Sequence, residues 1–167
     1  MPSNKSLKLS LFDFYLFSFF GTGNSPWAPG TVASIFSAIF LYILYFYFPY
    51  WIMLALITCL IFFISYFRMK TEKNLPIINT DPGWITIDEF LGVALGMWLM
   101  SYFNFLNLTT LIWFVAIFRF FDITKIYPAN IFNNRAGPFS LIADDLVSGI
   151  YAVICTGMLL KWEIIQL

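Results

Sequence analysis

Six acidic residues carry the chemistry open to this sequence: Asp81, Asp88, Glu89, Asp122, Asp144 and Asp145. Asp88-Glu89 and Asp144-Asp145 are adjacent pairs, and each runs into an apolar stretch without a polar buffer. Capping and solvation account well for isolated acids such as Asp13 and Glu72, but poorly for the pairs. A carboxylate at the centre of a bilayer costs about 2.5 to 3.5 kcal/mol on insertion scales. Several can be tolerated only at an interface, and like charges brought together need a cation. Carboxylate oxygens that leave positions open for substrate suit Mg²⁺.

Arg119 and Lys125 stand on either side of Asp122. Snorkelling to an interface is one reading of them. The other is a clamp on phosphate, with the guanidinium holding two oxygens and the ammonium acting as a point charge. A third element is the turn-rich segment from Gly21 to Ser34, in which Gly30-Thr31 opens an apolar helix. Backbone N–H groups and a hydroxyl at a helix start can hold an anion, although the lysine and spacing of a P-loop are missing. Metal, cationic clamp and N–H cradle together are the parts phosphoryl transfer requires.

The residues that are missing narrow the chemistry. The chain has no histidine, which removes phosphohistidine intermediates and the histidine-dependent membrane phosphatases. Neither Cys59 nor Cys155 has an arginine six residues on or a CxxC partner, so both read as small hydrophobes. No Asp-x-Asp start occurs, and the spaced Asp and Gly residues of CDP-alcohol phosphotransferases cannot be placed. A metal–carboxylate hydrolase remains. Nine basic residues balance nine acidic ones, which argues against nucleic acid as a partner.

The elements that must position these groups are set by composition. Of the 167 residues, 60% are hydrophobic and only 11% charged, with a mean hydropathy of +0.81. A soluble domain carries roughly 25% charged residues; lipid must cover most of this surface. Residues 1–167 therefore read as a single membrane-embedded domain, an all-α, polytopic helical bundle with about five transmembrane helices. The expected spans are Val32–Phe48, Trp51–Phe67, Phe90–Phe103 extended back to near Ile85, Leu108–Phe121 and Leu146–Leu160. Leu9–Phe20 is too short to cross and reads as an interfacial or re-entrant helix. Its resemblance to a cleaved signal is broken by Asp13. Basic residues fall in the alternate loops that follow a cytoplasmic N-terminus, and this arrangement gathers nearly all ionisable groups at one membrane face.

These segments resemble the phosphatidylglycerophosphatase A family. Four pieces match in order: Gly21 to Ser34; Asp81-Pro82-Gly83 leading to Asp88-Glu89-Phe90-Leu91-Gly92; Arg119-Phe120-Phe121-Asp122 with Lys125 and Pro128; and Gly137 through Asp144-Asp145 to Gly149. Two departures are Ile126, where the family commonly has proline, and Pro138-Phe139-Ser140 in a loop usually rich in glycine. The resemblance implies Mg²⁺-dependent conversion of phosphatidylglycerophosphate to phosphatidylglycerol at the bacterial inner membrane. Asp88, Glu89, Asp144 and Asp145 are then the expected catalytic and metal-binding acids. Gly30, Thr31, Arg119, Asp122 and Lys125 are the expected contacts to substrate, on the cytoplasmic face. The main rival is a small transporter or cation pathway using the same acids, and a scaffold protein is the other; oligomeric state is open.

Overall fold

The computed structural model describes residues 9–71, 83–129, 131, 137–162 and 164–165. Asp81, Glu72, Lys73, Arg135 and the N-terminal lysines lie outside them. Among the described residues the chain forms six helices and one 3₁₀ turn, without strands. They are α1 (Leu11–Phe17), the turn Thr22–Asn24, α2 (Pro29–Tyr47), α3 (Trp51–Thr71), α4 (Ile87–Tyr102), α5 (Leu108–Thr124) and α6 (Pro138–Lys161).

Helix α2 illustrates why the bundle is turned inside out relative to a soluble one. Its outward positions are large and apolar, with Ile35, Phe36, Ile39, Ile43 and Phe46 exposed. Its buried face runs through the small residues Gly30, Ala33, Ser34, Ser37 and Ala38 to Leu41. Small residues facing inward let helices approach where lipid competes for apolar surface. The buried hydroxyls are satisfied within their own helices: Ser34 Oγ donates to the Gly30 carbonyl (2.7 Å) and Ser37 Oγ to that of Ala33 (2.6 Å).

Among the described residues, three helices are long and apolar enough to cross a membrane: α2, α3 and α6. Helices α4 and α5 have 16 and 17 residues, or about 24 to 26 Å at 1.5 Å per residue, less than the roughly 30 Å of a hydrocarbon core. Of the about five spans expected, these three among the described residues meet the criterion outright. Helix α4 is the core of the bundle, buried along most of its length and packed against α2, α3 and α6.

Two expectations need correction. Hydropathy alone starts the last helix at Leu146, behind its acids, but α6 begins eight residues earlier at Pro138. Asp144 and Asp145 thus sit two turns inside the helix, not ahead of it. Asp13, read as a solvated acid, is fully buried. Arg68 near the end of α3 grips it through two bonds, Nε to Oδ1 at 2.8 Å and Nη2 to Oδ2 at 2.6 Å.

Candidate active site

Four helices, α2, α4, α5 and α6, bring functional groups to one end of the bundle. Asp88 and Glu89 lie in the first turn of α4, where the helix dipole favours acids. Asp145 comes from α6. One carboxylate oxygen from each of Asp88, Glu89 and Asp145 can be chosen so that all three lie within 4.8 Å of one another.

The backbone explains how three acids come so close. Gly92 follows Asp88 by one helical turn, and Gly149 follows Asp145 by one turn, so each glycine shares a face with its acid. A Cβ added at Gly149 would lie 2.6 Å from the Gly92 carbonyl oxygen, and one at Gly92 would lie 2.8 Å from the Asp145 carbonyl oxygen. The α4 and α6 backbones touch at this crossing, and the carboxylates one turn away converge. In the sequence these glycines stand only as parts of the matched motifs. Their i, i+4 spacing to the acids was the signal that could have revealed the crossing.

The neighbours are mainly charged. Asp122, in the last turn of α5, lies within electrostatic reach of both Asp145 and Glu89. Arg119, one turn earlier, neutralises it: Nη1 is 2.5 Å from Asp122 Oδ2 and 4.0 Å from Glu89 Oε1. Arg119 Nη1 also donates a long bond of 3.5 Å to Ser34 Oγ on α2. Gly30 sits against the same pair. A Cβ there would collide with Glu89 Oε1 and lie 3.0 Å from both terminal nitrogens of Arg119.

Asp144 takes another direction. It is adjacent to Asp145, but neighbouring residues on a helix point about 100° apart, and its Oδ2 accepts from Lys125 Nζ at 2.7 Å. Lys125 is the left-handed C-cap of α5 (φ 44°), a conformation that favours glycine or asparagine. Thr31, half-buried, spends its amide on the Ala28 carbonyl (2.9 Å). The structure thus gathers Asp88, Glu89 and Asp145 with Gly30, Arg119 and Asp122 around them. Lys125 and Asp144 form a pair at the flank.

This arrangement fits a hard divalent cation. At an effective dielectric of roughly 20, two carboxylates 4.8 Å apart repel by about 3.5 kcal/mol. Three such pairs would consume much of the 5 to 15 kcal/mol that holds a typical domain together. Arg119 is shared between Asp122 and Glu89, and a bound cation would relieve the repulsion that one guanidinium leaves. Glu89 Oε2 and Arg119 Nε are both buried without a hydrogen-bond partner, which leaves an acceptor and a donor for a ligand in the same site. Asp88, Glu89 and Asp145 could hold the metal ion.

The family model for phosphatidylglycerophosphatase A matches residues 15–160. The chain belongs to that family. It is accordingly a phosphatase acting on phosphoric monoesters, of the lipid type, with a phospholipid substrate in a membrane. A curated protein of Bacteroides thetaiotaomicron named "Putative phosphatidylinositol-3-phosphatase" is 27% identical over 146 residues, covering 87% of this chain and 91% of that protein. No solved structure matches the chain.

Proposed function

We propose that this chain hydrolyses phosphatidylglycerophosphate to phosphatidylglycerol and phosphate, with Mg²⁺ held by Asp88, Glu89 and Asp145. The observation that carries the reading is the convergence of these three acids from two helices beside the unpartnered Glu89 Oε2. Bound there, Mg²⁺ supplies charge neutralisation and polarisation of the phosphoryl group.

The protein's own groups do the rest. Arg119 and Lys125 face the phosphate oxygens, and Asp122 and Asp144 hold those cations in place. Gly30 keeps the approach to Glu89 and Arg119 open. Glu89 accepts the proton of the attacking water while the phosphorus–oxygen bond to glycerol breaks, and the proton passes on to the leaving alkoxide. Asp144 thereby acts through Lys125. The exposed aromatic and aliphatic surfaces of the helices lie against acyl chains.

Helices α4 and α5 cross the membrane with α2, α3 and α6 in this reading, because α5 returns to the end at which α4 starts and Lys125 at its cap meets Asp144 on α6. Arg68, Lys70, Lys125 and the acids share that end, which the positive-inside rule assigns to the cytoplasmic face of the bacterial inner membrane.

The test is phosphate release from a lipid panel in detergent, with and without EDTA, for wild type, Asp88→Asn and Asp145→Asn. The panel contains phosphatidylglycerophosphate, phosphatidic acid, lysophosphatidic acid and phosphatidylinositol 3-phosphate, the last because of the relative's name. The account expects fastest release from phosphatidylglycerophosphate, abolition by EDTA and loss in both variants. Cation flux in proteoliposomes without phosphate release would favour the transporter reading instead.

A further inference from the structure

The N-terminal segment from Ser10 to Asn24 is built as a brace beneath the acids of α4. On one side it touches the approach to that helix in a continuous series. Phe14 stacks on Trp84 (6.2 Å between centroids), and the Thr86 amide donates to the Phe17 carbonyl at 2.8 Å. The hydroxyls of Thr22 and Thr86 meet at 3.1 Å. Gly23 rests on the Trp84 backbone so closely that a Cβ would collide with its carbonyl oxygen. Phe19 packs on Phe90 at 4.4 Å. Every one of these contacts falls between Trp84 and Phe90, the segment that carries Asp88 and Glu89.

The other side of the brace is fastened to α3 by an ion pair. Asp13 is held in its short helix by Ser10, whose Oγ donates to Oδ2 at 2.7 Å and accepts from the Asp13 amide at 3.1 Å. Arg68 binds both carboxylate oxygens. A bidentate Arg–carboxylate bond fixes orientation as well as distance, and Asp13 is fully buried, so its position is specified. Of the other residues of α1, Leu11, Phe12 and Tyr15 are exposed and Phe17 is fully buried. Phe17 fixes the end of the helix beside Thr86, and the Asp13–Arg68 pair fixes its start against α3.

We infer that Asp13 and Arg68 are positioning residues for the metal-holding carboxylates: they lock α1 against α3, and α1 sets the entry of α4 and with it Asp88 and Glu89. This inference rests on the metal–carboxylate reading of the site and adds to it a control point distant from the site in sequence.

The experiment measures Mn²⁺ binding by electron paramagnetic resonance in detergent, together with kcat and KM for phosphate release, in wild type, Asp13→Asn, Asp13→Glu and Thr22→Val. Asp13→Asn is expected to weaken Mn²⁺ binding about tenfold, the lower end for losing a group that orients a metal ligand. Its kcat should fall while KM changes little, and Asp13→Glu should restore part of both. Thr22→Val leaves the ion pair intact and removes the contact to Thr86. It should shift Mn²⁺ affinity in the same direction by about two- to threefold, which keeps the test decisive if Asp13→Asn does not fold. Unchanged Mn²⁺ affinity and kcat in folded Asp13→Asn, or in Thr22→Val, would overturn this inference alone. A wild type that neither binds Mn²⁺ nor releases phosphate would overturn the reading beneath it.

Discussion

Replacing Gly30 with alanine tests the Glu89–Arg119 geometry directly. The added methyl carbon would overlap Glu89 Oε1 and sit 3.0 Å from each terminal nitrogen of Arg119. The Glu89 carboxylate must retreat by about an ångström to regain ordinary van der Waals distance, and Arg119, pinned by Asp122 at 2.5 Å, has little room to follow. A misplacement of that size costs about 100-fold in rate. Gly30 is the second residue of α2, outside the helix interior where alanine gains over glycine, and overpacking a buried site typically costs about 1 to 3 kcal/mol. Gly30→Ala should therefore melt in detergent below the wild-type temperature but still fold, while releasing phosphate about 100 times more slowly. Activity within threefold of wild type would refute the reasoning, since the Glu89–Arg119 geometry would then be irrelevant to turnover.

Asp144 and Asp145 should separate by function despite being adjacent. Asp144→Asn and Lys125→Met are expected to raise KM by about tenfold with a smaller effect on kcat, as loss of one charge-assisted bond to phosphate implies, whereas Asp145→Asn should lower kcat by two or more orders of magnitude; steady-state kinetics on micelles checks both. Stability should fall with acidification in a way that depends on Asp13. The Arg68 guanidinium holds that carboxyl below its usual range. Stability from the pair is thus fully present above the ordinary carboxylate value of about 3.9 and lost as pH drops below it. Thermal melts between pH 6 and pH 3 should show a steeper loss in wild type than in Asp13→Asn.

Much of the site could be read from the sequence because its parts are local. Asp88-Glu89 stand at a helix start and Asp122 with Arg119 at a helix end, and apolar runs mark α2 and α3 within a few residues. The start of α6 was hidden because two charges interrupt its hydropathy; the helix continues through them as a buried face of Ser140, Ile142 and Ala143. That shift also decides which acid faces the site, since a 100° step separates Asp145 from Asp144. The Asp13–Arg68 pair leaves no local trace at all, its members being 55 residues apart. The same holds for Gly30 against Glu89, where only the folded chain brings the two together.

The most direct test of the central claim is anomalous scattering from Mn²⁺ in crystals of the wild-type protein, paired with a restoration curve for phosphate release after EDTA treatment. The account predicts an anomalous peak coordinated by Asp88, Glu89 and Asp145, and activity that returns as that site fills. Full activity in protein stripped of divalent ions, or a Mn²⁺ peak bound away from these three carboxylates, would contradict it.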